Sequence, residues 1–319
     1  MHLSDPFLSV PVGLGFCVIS AVSLSRVGKT LERDPDSSLV PLTGVMAAFV
    51  FAAQMVNFAI PGTGSSGHLS GGLLLAYLLG SRRAFLAMSS VLVVQCLFFA
   101  DGGILALGCN VFNLGFIPAF VVYPIAQRFT LAHHKFSALP IILGGMVSLV
   151  LGAIMVGLQI GLSERTGVSM STLLTFLVPI HWAIGIVEGF ASWGILAFLL
   201  QARPHLVPSL PAQANPNLRI ILGLATVVVA GLGCLFASTS PDGLEWSLER
   251  VKAAPVGHAW QTFMDRVALF ADYSFPSWVP LANHAPMAST SASGLIGSVL
   301  VLALAVGLGV LVRRSSKSP

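Results

Sequence analysis

The chain opens Met1-His2, a dipeptide that can chelate a cation with no fold to arrange it. A free α-amine at Met1, the amide nitrogen of His2 and the His2 imidazole can all reach one ion through fused chelate rings. One more nitrogen completes a four-nitrogen plane, the tetragonal arrangement that suits Ni(II) or Cu(II). His68 is the natural fourth donor. It sits in the Gly- and Ser-rich segment Gly62-Thr63-Gly64-Ser65-Ser66-Gly67-His68-Leu69-Ser70-Gly71-Gly72, and irregular backbone at membrane depth is tolerated only where protein buries it or a cavity lies beside it. The same segment also reads as a helix-packing stretch with an incidental histidine.

Other residues with chemistry available are more scattered. His181 and Glu188 lie seven apart in PIHWAIGIVEGF, hence on one helix face. That face could bind a cation or protons, or tie two helices together. Asp101, in FADGGILALG, either attracts cations or caps the helix that follows. His133, His134 and His205 stand beside basic residues in polar gaps, and His258 and His284 have no partner at ligand spacing. Cys17, Cys96, Cys109 and Cys234 are isolated in apolar runs with no CxxC pair, which suits packing better than metal or redox work. No close Met-x-x-Met pair suggests a Cu(I) site.

The elements that must position these groups follow from composition. Of 319 residues, 55% are hydrophobic and 9% charged, with a mean hydropathy of +0.88. A soluble domain carries roughly 25% charged residues, so a soluble enzyme, a disordered chain and a disulfide scaffold are excluded. Apolar runs lie near 7–27, 40–60, 68–80, 84–101, 104–127, 138–162, 172–201, 219–238 and 293–312. Most match the ~20 residues needed to cross a bilayer as a helix. The third is short and Gly-rich and reads as a partial or tightly packed helix. No alternating short strands suggest a barrel. The expected fold is an all-α polytopic membrane protein of about nine segments.

Twelve of the sixteen basic residues fall in alternate gaps: Arg26, Lys29, Arg33, Arg82, Arg83, Arg128, Lys135, Arg203, Arg219, Arg313, Arg314 and Lys317. The other four are Arg165, Arg250, Lys252 and Arg266. Positive residues stay inside, which predicts an external N-terminus and an internal C-terminus. The net charge of +4 is then a topology signal, needing no anionic partner beyond the inner leaflet's lipid and no nucleic acid. The start has no basic n-region and no small-residue cleavage site, so the first run reads as a retained helix and Met1 is expected to stay. Residues 206–218, LVPSLPAQANPNL, read as a linker between a seven-run module, 1–205, and a two-run module, 219–319, whose external segment spans 239–292. No P-loop motif occurs, so ATP hydrolysis by that route is excluded.

Four ordered blocks now bear on family. MHLSDPFLS, FVFAAQMVNFAIPGTGSSGHLSGG, FADGGILALGCNVFN and HWAIGIVEGF resemble the blocks of the energy-coupling-factor cobalt/nickel transport M-components (CbiM/NikM). The resemblance covers roughly residues 1–205. Pro241-Asp242-Gly243-Leu244-Glu245 resembles the PDGLE signature of the small N-component, fused to the M-component in some members. The resemblance implies a substrate-binding subunit, not itself an enzyme, that captures Ni(II) or Co(II) outside and works with a transmembrane coupling (T) component and two ATP-binding cassette ATPases. It carries the metal site onto the Met1 amine, His2 through amide and imidazole nitrogen, and His68. No cofactor is implied beyond the transported ion. Asp5 keeps the family position, whereas Ser4 and Pro6 replace a Pro and a Gly, changes that bear on how the N-terminal segment folds. The competing readings are a self-contained ion channel or secondary carrier, and a membrane enzyme using Asp101, His181 and Glu188; the donors do not choose between nickel and cobalt.

Overall fold

A chain with few polar side chains must satisfy its backbone internally at membrane depth, and helices do this segment by segment. The computed structural model describes residues 2–33, 39–130, 137–202, 216–254, 263–264, 266–276, 279 and 286–315. Met1, the linker up to residue 215, and His133, His134, His205, His258 and His284 lie outside the described residues. Among the described residues, eight helices carry the apolar runs: α1 (Val10–Leu31), α2 (Leu39–Gln54), α3 (Gly72–Phe99), α4 (Leu107–Thr130), α5 (Ala138–Ser163), α6 (Met170–Ala202), α7 (Pro216–Gly231) and, after the short polar α8 (Gly243–Arg250), α9 (Pro286–Ser315). Six of them are long and apolar enough to cross a membrane; α2 and α7 are shorter apolar helices. The chain is an all-α, multi-pass membrane protein.

The third and fourth expected runs both lie on α3, and Gly80 explains why they read as separate. Its φ of 73° and ψ of 161° interrupt the helix, a conformation open to glycine and strained for other residues. Ser70, before the first half, and Gln95, near the end of the second, both hydrogen-bond Gln54. The junction, Gly80–Arg83, instead lines a cavity with Leu31 at the end of α1. The two halves therefore fold back on each other, and their outer ends meet.

Small residues bring α5 and α6 together. A Cβ on Gly145 would lie 2.8 Å from the Gly189 Cα, the close backbone approach that membrane helix pairs favour. α4 widens into π-helical turns over Val111–Val122, with Pro118 inside, and Asn113 exchanges two amide hydrogen bonds with Gln159 of α5, at 2.9 and 3.1 Å. Between α2 and α3 the chain forms a small antiparallel hairpin, β1 (Phe58–Ile60) and β2 (Ser65–Gly67), with Ala59 opposite Ser66. Ser66 also pairs in parallel with Asp242, so the appended module completes this hairpin's edge.

Candidate metal centre

The N-terminal segment is folded into the bundle rather than left outside it. Leu3 and Leu8 are fully buried. The Leu3 N–H donates to Asn110 Oδ1 at 2.8 Å, and Asn110 Nδ2 returns a bond to the Leu3 carbonyl at 3.0 Å. The Gly103 N–H donates to the same carbonyl at 3.1 Å, and the Ala106 N–H to Asp5 Oδ1 at 3.0 Å. Pro6 falls inside a 3-10 turn, Asp5–Phe7, where its missing N–H costs little. Its presence is compatible with the turn that lets residues 2–8 enter.

This seat brings His2 onto His68. The two imidazole rings are parallel, 5° apart, with centroids separated by 5.6 Å. The His2 side chain is 7% exposed, and its Nδ1 lies 3.1 Å from Asp101 Oδ1. His2 Nε2 is buried with no hydrogen-bond partner among the described residues. His68 Nδ1 lies 3.1 Å from the Leu69 carbonyl. Because a carbonyl only accepts, Nδ1 carries the proton and the lone pair falls on Nε2. Burial pushes the His68 pKa down to about 3, so this ring is a neutral donor at any ordinary pH.

Glu188 fixes the loop that carries His68. Its carboxylate accepts from the Ser70 N–H at 2.8 Å, from the Ser70 hydroxyl and from the Gly71 N–H at 3.1 Å. Gln54 Nε2 adds a bond to the Ser70 carbonyl at 2.8 Å. Of the two roles open to Glu188, the structure gives it the tie between elements. His181, seven residues away, serves a different neighbour. Its Nδ1 donates to the Leu177 carbonyl of its own helix at 2.7 Å. It packs against Gly243, where a Cβ would meet His181 Cε1 at 3.0 Å. His68, His181 and Asp242 border one cavity of about 10 Å³, room for roughly a single water.

Asp101 does not cap α4, whose N-cap position is Ala106 with no side-chain bond. Its carboxylate lies between His2 and the Tyr273 hydroxyl, which donates to Oδ2 at 2.6 Å. Burial opposes ionisation there, yet the His2 imidazole and the Tyr273 hydroxyl hold the carboxyl well below its usual range. Cys96 and Cys109 are buried in the core without a disulfide. Among the described residues, no three His, Cys, Asp or Glu side chains stand close enough to hold a metal ion together. Among the described residues, side chains alone therefore do not complete a metal site.

Tyr273, Asn110, Gln54 and Gln95 escaped the sequence reading. The three amides were visible as polar residues inside apolar runs, a standing signal of a buried role. Tyr273 stands in the long polar segment with nothing around it to mark it out.

A helical bundle whose N-terminal segment, residues 2–8, folds in to set His2 beside the loop histidine His68 defines a polytopic membrane protein with two buried imidazoles brought together. The model of the cobalt uptake substrate-specific transmembrane region, CbiM, matches residues 2–206, and that of the PDGLE domain matches residues 217–314. The chain belongs to the CbiM family, with a PDGLE domain attached. It is similar to the putative fused nickel transport protein NikMN of Archaeoglobus fulgidus, at 34% identity over 97% of this chain and 98% of that one. It is also similar to the fused nickel transport protein NikMN of Rhodobacter capsulatus, at 29% identity over 99% and 100% of the two chains. A solved transition metal transporter superposes with a TM-score of 0.57 and 29% identity, covering 63% of this chain and 93% of that one. These kinships and the apolar helices mark a multi-pass protein of a prokaryotic plasma membrane.

Proposed function

We propose that this chain is the substrate-specific membrane subunit of an ATP-driven energy-coupling-factor transporter that takes up Ni(II) or Co(II). The ion is captured on the outer side by the Met1 amine, the His2 amide and imidazole nitrogens, and His68. The parallel seating of His2 over His68 at 5.6 Å carries this reading, because it sets the histidine of the chelating Met1-His2 dipeptide beside a loop histidine that burial keeps neutral. The names of the fused nickel transport relatives support the substrate class. The basic residues support an outer N-terminus and an inner C-terminus.

In this reading residues 1–205 form the metal-binding module, 206–218 the linker and 219–319 the PDGLE module. A coupling component and two ATPases, supplied by other chains, drive release of the ion inward. Each donor nitrogen must be free of protons to coordinate, so binding releases protons and affinity falls as the outer pH drops. The test is a Ni(II) and Co(II) titration of the purified full chain beside His2→Ala and His68→Ala. Tight stoichiometric binding in the wild type, lost in both variants while each still inserts in the membrane, is expected. Wild-type affinity in either variant refutes the assignment.

A further inference from the structure

The candidate metal centre has a contributor from the far end of the chain. Tyr273 lies in the segment between α8 and α9, 172 residues from Asp101 in sequence. Its ring stacks on Phe99, with centroids 4.8 Å apart and planes at 23°, and tilts against Phe51 at 6.3 Å. Both Asp272 and Tyr273 adopt positive φ, 51° and 56°, a conformation that side chains disfavour and that surrounding contacts must hold. Here the contacts converge on the hydroxyl, which donates to Asp101 at 2.6 Å and accepts from Gln95 Nε2 at 3.3 Å. Burial, with Asp101 alongside, raises the Tyr273 pKa well above its usual value, so the hydroxyl keeps the proton it donates.

We propose that Tyr273 is a positioning residue for metal capture: it holds the Asp101 carboxylate against His2, so the PDGLE module completes the site that the CbiM module begins. The proposal rests on the reading of His2 and His68 as metal ligands. A chelate that includes the His2 amide closes through Nδ1, the ring nitrogen facing that amide, and Asp101 lies 3.1 Å from this nitrogen. Capture replaces the Nδ1 proton by the ion: the ring keeps a single proton, now on Nε2, the amide proton passes to solvent, and the Asp101 carboxylate, still fixed by Tyr273, lies beside the new positive charge. Outer partners of this kind orient ligands and balance charge, and their loss typically weakens metal affinity by roughly 10–100-fold. The same hydroxyl reaches the other ligand loop. Gln95 Nε2 also donates to Gln54 Oε1 at 2.8 Å, and Gln54 Nε2 to the Ser70 carbonyl at 2.8 Å. One phenol thus links the supports of both imidazoles.

The test is a double-mutant cycle on the full chain, reading Ni(II) affinity by competition with a chromophoric chelator and thermal melting alongside. Tyr273→Phe keeps the ring that stacks on Phe99 and removes only the hydroxyl. It is expected to weaken Ni(II) binding about 10-fold, and Asp101→Asn to weaken it at least as much. Because Tyr273 acts through Asp101, the double variant is expected to bind no worse than Asp101→Asn alone. Wild-type affinity in Tyr273→Phe overturns the proposal, and so does a double variant whose loss is the sum of the two singles, since a purely structural tyrosine would give that sum. His2→Ala, titrated in parallel, separates the two levels: if it binds Ni(II) like the wild type, the reading of the site falls whatever Tyr273 does.

Discussion

The His2 imidazole lies parallel to that of His68, 5.6 Å away, although the two residues are separated by two helices and a hairpin. Such a juxtaposition needs both segments to be held from outside themselves. Asn110, Gly103 and Ala106 hold the N-terminal segment, and Glu188 with Gln54 holds the loop.

Gly103 is the tightest contact with the N-terminal segment. A Cβ there would stand 2.5 Å from the Asp5 backbone nitrogen and closer still to its carboxylate. Gly103→Ala is expected to expel residues 2–8 from their seat and to abolish tight Ni(II) binding while the helical bundle still assembles. Circular dichroism of the purified variant with a metal titration checks this. Retained wild-type affinity would mean that the seat is not needed for capture.

Glu188 accepts three hydrogen bonds from Ser70 and Gly71. Glu188→Gln replaces one acceptor oxygen by an N–H₂ group that faces donors, leaving a buried donor unmatched. The expected cost is about 2 kcal/mol of stability, in the range for hydrogen bonds to charged groups, with weaker metal binding because His68 loses its anchor. Denaturant unfolding in detergent would read the first effect, and an unchanged midpoint would argue that the loop is held by something else.

Acid should destabilise the empty protein through His68. Its pKa falls from 6.5 in the unfolded chain to about 3 when folded, so between these values the unfolded state binds the extra proton. Stability then declines as pH falls from about 6.5 toward 3. His68→Gln has no proton to bind, and its melting temperature should fall less than the wild type's across that window. Parallel curves would show that burial does not hold His68 neutral.

Uptake in membrane vesicles should need the partner chains and ATP. With a coupling component and two ATPases present, Ni(II) accumulation is expected to stop on ATP depletion. Accumulation by this chain alone, indifferent to ATP, would favour a self-contained channel or carrier.

How far the sequence reaches depends on which interactions are local. The helical class was legible because twenty-residue apolar runs are a property of each segment alone. The split of α3 into two runs was legible in Gly80 and the basic pair after it, though not the fold-back that joins their ends. His2 and His68 could be paired in advance because the chelating dipeptide and the family blocks both pointed to them. The Asp101–Tyr273 bond could not, for it spans 172 residues and rests on a left-handed turn at Asp272 that no motif announces. His181 and Glu188 shared a helix face as expected, but only packing against Gly243 and the Ser70 loop assigned them separate duties.

X-ray absorption at the nickel edge on the Ni(II)-loaded full chain tests the central claim most directly. A tetragonal four-nitrogen shell in which two of the donors are imidazoles is expected. A shell of oxygens, a sulfur ligand, or a single imidazole would contradict it.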